Sequence, residues 1–308
     1  MRPRIWLVAT LASIAGAASA VAGANALVDI YGVFRATPGR RLVPYGEERV
    51  AKYLLSARYV PENFNAVLIG SSVSANWNTG KLGAFRVYNE SINGANIVEE
   101  GALLDNALSR PGIRLVLFVA HPYLTDSHDF KTVELSRKTY WGAFGSDYLR
   151  GAYTDWLRVR FGHMQLTSDE FGTDNFEAPN ELSPDLKRIL RPGEDFAVDP
   201  QALQAYRETI SSVRARHVQM VFIVPPLYEK LYAAKREAFR KYLEMLRTFL
   251  TPEDQLIDFT SGRYSGLREN GDNFTDGVHL RRSAADETMG MIDARLREWI
   301  ALGQLRAE

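Results

Sequence analysis

The chain opens on an apolar run. Arg2 and Arg4 precede it, and no charged residue then appears from Ile5 until Asp29. A stretch of about 24 such residues is the length a helix needs to cross a bilayer. Two readings fit it. One is an uncleaved signal anchor, which the length favours. The other is a cleaved signal peptide, with Ala18-Ser19-Ala20 or Ala20-Val21-Ala22 as its small-residue site. Both keep the two arginines on the cytoplasmic side and send the rest of the chain outward. The expectation is a bacterial periplasm or cell surface, with residues 5–28 anchored in the inner membrane.

Past Asp29 the pattern alternates between strand and helix signals. Residues 43–60 predict a helix, with Val50, Tyr53, Leu54 and Ala57 on one side. Asn65-Ala66-Val67-Leu68-Ile69-Gly70 predicts a short buried strand that ends in a Gly-Ser-Ser turn. A second strand is expected over 85–91, closed by Asn93-Gly94. A helix follows it with Ile97, Gly101, Leu104 and Leu108 in register. Arg114-Leu115-Val116-Leu117-Phe118-Val119-Ala120 is almost wholly apolar, as expected of a strand covered on both faces. Residues 121–199 break the alternation and predict an insertion or cap after this third strand. Asp199-Pro200 then reads as a helix N-cap and N1 proline. Further strands are expected over 218–224 and 255–258, with helices over 229–250 and from Arg282 onward. This order predicts an α/β fold of three layers, α/β/α, with a mainly parallel five-stranded sheet. Residues 1–28 would be the anchor and 29–308 a single domain. Ligands of such sheets bind beyond the carboxyl ends of the strands.

Composition narrows the chemistry. Thirty-seven basic and 37 acidic residues balance to a formal net charge of zero, which argues against a nucleic-acid partner. There is no cysteine, hence no thiolate nucleophile, disulfide or Cys-ligated metal. The glycine patterns of dinucleotide and nucleotide-triphosphate sites are absent, and the histidines are too scattered for a metal site. No cofactor is therefore expected.

Two short blocks remain. In Ile69-Gly70-Ser71-Ser72 a serine on a tight turn can be exposed at the sheet's edge, with free backbone N–H groups beside it. The bland alternative is a helix-capping serine. In Asp276-Gly277-Val278-His279 an acid and an imidazole stand three residues apart. A neutral imidazole can take a serine's proton, and a carboxylate behind it fixes the tautomer; here the bland alternative is a polar turn. Each block alone is weak. Together, in a doubly wound order, they predict that Ser72 and His279 meet. Gly94 lets the backbone approach a substrate oxygen, and His121, at the end of the third strand, is the best placed of the other histidines. Arg281-Arg282 reads equally as an anion contact or as a solvated pair. Tyr140, Trp141 and Trp156 suit either sugar stacking or a small core under the cap, the core being favoured.

With these residues the chain resembles the SGNH/GDSL hydrolase superfamily over about residues 29–300. Gly70-Ser71-Ser72 resembles the first block, which implies Ser72 as nucleophile; Ser71 stands where the family has aspartate. Residues 89–95 resemble the second block, which implies Gly94 as an oxyanion donor. Asp276-Gly277-Val278-His279 resembles the Asp-x-x-His block, which implies His279 as base and Asp276 as its orienting partner. The third block departs: the place of its asparagine reads Ala120-His121-Pro122-Tyr123, so His121 or Tyr123 would have to donate instead. Val28-Asp29-Ile30-Tyr31-Gly32-Val33-Phe34 after an anchor resembles a membrane-anchored bacterial subgroup related to polysaccharide O-acetyltransferases and esterases. The resemblance implies serine-dependent hydrolysis or transfer of an acyl group, acetyl by the subgroup's precedent, on a carbohydrate polymer, with a membrane acyl-donor protein as a further partner. The competing expectation is a non-catalytic scaffold or glycan-binding subunit of an envelope polysaccharide system. A lipase-like esterase is a weaker third.

Overall fold

The computed structural model describes residues 3–29, 31–36, 43–44, 48–125, 135, 161, 167–175, 196 and 198–307. Five parallel strands form its sheet: β1 (Ala66–Ile69), β2 (Val87–Asn89), β3 (Leu115–Val119), β4 (Gln219–Val224) and β5 (Gln255–Asp258). Their spatial order is β2-β1-β3-β4-β5. The chain steps outward from β1 to β2, then returns past β1 to β3. The strand order thus reverses between β1 and β3, and a crevice opens there at their carboxyl ends. The turn after β1 carries Ser71 and Ser72; His121 follows β3 by two residues.

Side-chain alternation builds a core on each face. Val67, Ile69, Val116, Phe118, Met220 and Phe222 face one side. There they meet α2 (Glu48–Ser56), α3 (Tyr59–Asn63), α5 (Ile97–Ala107) and α6 (Pro200–Ala215). Leu68, Leu117, Val119, Val221 and Ile223 face the other side. They pack on α4 (Ser72–Ala75), α7 (Glu229–Ala234), α9 (Ser265–Glu269) and α10 (Arg282–Ala301). Helix α8 (Arg236–Arg247) contributes to both, with Leu243 and Leu246 on one and Phe239 on the other. The three-layer α/β/α expectation therefore holds.

Two expected helices are broken. The helix expected over 43–60 is instead a short strand, Val43–Pro44, followed by α2 and α3. Pro61 is the physical reason: inside a longer helix its ring would strike the carbonyl of residue 57, whereas in the first turn of α3 it is tolerated. Residues 229–247 break at Lys235 into α7 and α8, with no proline or glycine to mark the bend. The N-terminal run forms α1 (Pro3–Val28), mostly exposed, and this helix is long and apolar enough to cross a membrane.

The insertion is described only in part. His128, Tyr140, Trp141, Trp156 and His163 lie outside the described residues. Thr167–Ser168 pairs antiparallel with Val43–Pro44. The chain then turns back so that Asp174 bridges Ser168. The Phe171 carbonyl accepts from the Asn89 N–H at 2.7 Å, and the Asp174 N–H donates to the Ala75 carbonyl at 2.9 Å. This piece therefore runs along the β2 edge and delivers Asp174 beside α4.

Candidate active site

Ser72 is the first residue of α4, and Ser71 precedes it as N-cap without making a side-chain cap bond. The capping alternative therefore does not account for the serine pair. The turn is held tightly. Buried Asn89 donates to the carbonyls of Ser74 at 2.9 Å, Ala75 at 3.2 Å and Trp77 at 3.0 Å. Asn76 donates to the Leu280 carbonyl at 2.7 Å, tying the end of α4 to the loop that carries His279.

That loop is pinned from three sides. The Thr275 N–H donates to the His279 carbonyl at 2.9 Å, and the Arg281 N–H to the Asn273 carbonyl at 2.8 Å. The Tyr228 N–H, just past β4, donates to the Gly277 carbonyl at 2.9 Å. Gly277 has φ +98, a left-handed conformation that suits glycine. Asp276 Oδ1 accepts from the Val278 and His279 N–H groups at 3.1 and 2.9 Å. Its other oxygen is left to meet the imidazole.

The result is a continuous chain of side chains. Asp276 Oδ2 lies 2.6 Å from His279 Nδ1, and His279 Nε2 lies 2.9 Å from Ser72 Oγ. Partial burial works against the Asp276 carboxylate, but hydrogen bonds and the charge interaction with His279 outweigh it and hold its pKa below the ordinary value. An ionised Asp276 can only accept, so Nδ1 carries the proton of a neutral His279. Its Nε2 lone pair then faces the serine hydroxyl. This is the arrangement in which a serine proton has somewhere to go as the oxygen attacks.

Ser72, Asp276 and His279 line an open cleft of about 200 Å³ together with Ala75, Asn76, Asn93, Asp174 and Thr275. Gly94, His121 and Tyr123 stand outside that lining. Gly94 has φ +64. Its carbonyl and that of Asn93 accept from the Arg49 guanidinium at 2.9 and 2.8 Å. Among the described residues, neither the Gly94 nor the Ser72 N–H is spent on an intramolecular hydrogen bond. His121 is 4% exposed. Its Nδ1 accepts from the Tyr123 N–H at 3.2 Å, which places the ring proton on Nε2. That Nε2 is buried and has no partner among the described residues. Burial, with the His279 ring close by, lowers the His121 pKa to about 3 despite opposition from Asp276. His121 is thus a neutral imidazole with an unspent donor near the His279–Asp276 pair. Tyr123 is half exposed, with its ring centroid 4.7 Å from that of His121.

Asn76 and Asp174 were not singled out in the sequence, while Asn93 stood there only as the position that closes the second strand and Thr275 only as part of the loop before His279. Asn93 lies within the second block, one residue before the expected Gly94. Asp174 comes from the insertion, and no local pattern announces it. Arg281 and Arg282 are not among the residues lining the cleft. Among the described residues no cluster of histidine and acidic groups could hold a metal ion.

Fold and side chains together define an α/β protein of doubly wound type, with a serine, a histidine and an aspartate in hydrogen-bonded series at its strand-order reversal. No family model matches the chain, and no curated protein matches it. Among solved structures it is similar to a protein from Streptococcus pneumoniae provisionally described as a platelet activating factor. That likeness has a TM-score of 0.48 and 11% identity, over 82% of this chain and 92% of the other. It is also similar to a Bacteroides fragilis protein provisionally described as an acylhydrolase, with a TM-score of 0.39 and 11% identity, over 76% and 86% of the two chains. The chemistry is read from the side chains, not from these likenesses.

Proposed function

We propose that this protein is a serine-dependent acyl-ester hydrolase or O-acyltransferase of the SGNH/GDSL type. The observation that carries the reading is the unbroken series Ser72–His279–Asp276, with contacts of 2.9 and 2.6 Å. Ser72 Oγ attacks the acyl carbon while His279 Nε2 takes its proton. Asp276 stabilises the imidazolium and holds its tautomer. The Ser72 and Gly94 N–H groups donate to the developing oxyanion, and the His121 Nε2–H takes the place of the third-block asparagine. Collapse of the intermediate expels the alcohol, which leaves with the proton held by His279. Water or an acceptor hydroxyl then attacks the acyl-enzyme with His279 as base. Hydrolase and transferase share every residue named here and differ only in which nucleophile reaches the second step.

On the same reading the site lies outside the cytoplasmic membrane. Helix α1 serves as a signal anchor and Arg2 and Arg4 stay inside; this suits the periplasm or cell surface. The acyl group is taken to be acetyl and the acceptor or donor a surface carbohydrate, on the resemblance of the sequence blocks. A membrane acyl-donor protein would supply the acyl group if the chain is a transferase.

The test uses the detergent-solubilised full chain with a fluorophosphonate probe and p-nitrophenyl acetate, beside Ser72→Ala. Labelling and turnover are expected in the wild type and should vanish in the variant. A wild type that neither labels nor turns over would favour the non-catalytic scaffold reading instead.

A further inference from the structure

The Gly94 N–H and the Asn93 carbonyl belong to one peptide unit. A trans peptide points the two bonds in opposite directions, so whatever holds the carbonyl also aims the N–H. This unit is the middle of a β-turn, in which the Ala95 N–H donates to the Ile92 carbonyl at 3.1 Å. Gly94 has φ +64 at the third position of the turn, and Asn93 before it does not have a positive φ. That is the pattern of a type II turn. Type I differs from it by a flip of the middle peptide, and a glycine at the third position accepts either form. The turn's own residues therefore leave the direction of the Gly94 N–H undecided.

Arg49, in the first turn of α2, decides it. Its Nη2 donates to the Asn93 carbonyl at 2.8 Å and to the Gly94 carbonyl at 2.9 Å. A flip of the 93–94 peptide would swing the Asn93 carbonyl away and turn an N–H toward the guanidinium, donor against donor. The guanidinium is itself held. Its Nε donates to Glu99 Oε1 at 3.0 Å, and Glu99 Oε2 accepts from the Asn96 N–H at 3.3 Å in the capping box that starts α5. Glu48, the neighbour of Arg49, accepts from the Asn93 N–H at 3.1 Å. Two consecutive residues of α2 thus grip Asn93 by its N–H and its carbonyl. Asn93 lines the cleft with Ser72, whereas Arg49 is not among the described residues that do. A charged donor on a carbonyl also polarises the peptide and makes its N–H a stronger donor.

We propose that Arg49 is a positioning residue for acyl transfer: it holds the Asn93–Gly94 peptide in the orientation that turns the Gly94 N–H toward the oxyanion, without touching substrate itself. The proposal rests on the serine reading above, in which Gly94 is an oxyanion donor. The N–H meets a charge that develops only as Ser72 attacks. Loss of the clamp therefore lowers kcat and leaves KM nearly unchanged.

The detergent-solubilised full chain is assayed with p-nitrophenyl acetate as wild type, Arg49→Ala and Arg49→Met, with Ser72→Ala as the blank and a melting curve for each. Arg49→Met keeps an apolar stem and removes every donor. Both Arg49 variants are expected to melt near the wild type and to lose about 100-fold in kcat, the cost of a small misplacement at the reacting centre. Their KM should stay close to the wild-type value. Arg49 is partly exposed, so millimolar guanidinium can enter the place its side chain leaves. It should restore part of the kcat of Arg49→Ala and add nothing to the wild type. If Arg49→Ala does not fold, Arg49→Met carries the comparison. A folded variant with wild-type kcat, a loss confined to KM, or a loss in Arg49→Ala that guanidinium leaves untouched overturns the proposal. A wild type that neither labels with fluorophosphonate nor turns over the ester fails the serine reading, and the positioning role falls with it. An active wild type beside unaffected Arg49 variants strikes the positioning role alone.

Discussion

At Gly70 a methyl group has nowhere to go. A Cβ there would lie 2.4 Å from Ser74 Oγ and 2.9 Å from Val119 Cβ, on the neighbouring strand. Gly70→Ala must push β1 from β3 or shift α4. It is expected to destabilise the fold by about 1–3 kcal/mol and to weaken fluorophosphonate labelling of Ser72, both measurable on one preparation. His121 makes a second expectation at this scale. Held neutral with Nε2–H unspent, it should be replaceable by another donor but not by an isostere without one. His121→Phe is expected to lower kcat by about 100- to 1000-fold, while His121→Asn keeps more of it. Equal activity in the wild type and the Phe variant would remove His121 from the mechanism. Glu90 makes a third. It is fully buried beside β2, and burial, opposed by the Ser56 hydrogen bond and the Lys52 charge, raises its pKa from 4.5 to about 8. The folded state therefore holds a proton that the unfolded chain releases near pH 4.5. The stability this contributes is fully present below that pH and is lost as pH rises through about 8. The slope is up to about 1.4 kcal/mol per pH unit. Urea titrations of wild type and Glu90→Gln across this range should differ by that slope, and parallel curves would refute the assignment.

Among the elements, the short α4 depends on what surrounds it. Four residues cannot hold a helix alone, so the Ser72 turn is held by Asn89, whose amide bonds three carbonyls around it. Asn89→Ala leaves those carbonyls without that donor in a buried place. A loss of about 1–3 kcal/mol is expected, with labelling of Ser72 falling as well; a change in stability alone would mean that the turn keeps its shape without this amide. Helix α6 is the contrast. Asp199 accepts from the Gln201 and Ala202 N–H groups at 2.7 and 3.1 Å, with Pro200 at the first helical position. Here the start was legible because capping is local chemistry, and nearest-neighbour residues decide it. The break between α2 and α3 was missed in the 43–60 expectation although the steric rule for proline accounts for it, whereas the bend at Lys235 carries no such mark. The segment over 121–199 was announced only as a failure of pattern, and its contribution to the cleft, Asp174, came with no local signal at all.

For the whole molecule, the strand-order reversal between β1 and β3 sets where chemistry can sit. It places the Ser72 turn and His121 on adjacent strand ends, and the loop after β5 closes over them. The apolar periodicity of each strand and helix follows from burial on two faces, so the five strands, their parallel α/β order and the three layers could be read from residue order alone. Ser72, Asp276 and His279 could be marked as candidates in the same way, from local patterns each weak alone; that their side chains meet in one hydrogen-bonded series is seen only in the fold. The apolar run over 5–28 was legible in the same way: length and absence of charge are properties of a segment by itself. Only the tertiary structure decided which groups share the cleft. Asn76, Asn93, Asp174 and Thr275 come from four separate stretches of chain. So do the buried Lys52 beneath Asp174 and the unspent Nε2–H of His121. Local patterns report how a segment meets water and its immediate neighbours. Which polar atoms are left without a partner depends on segments far apart in sequence, and is settled only when they have packed together.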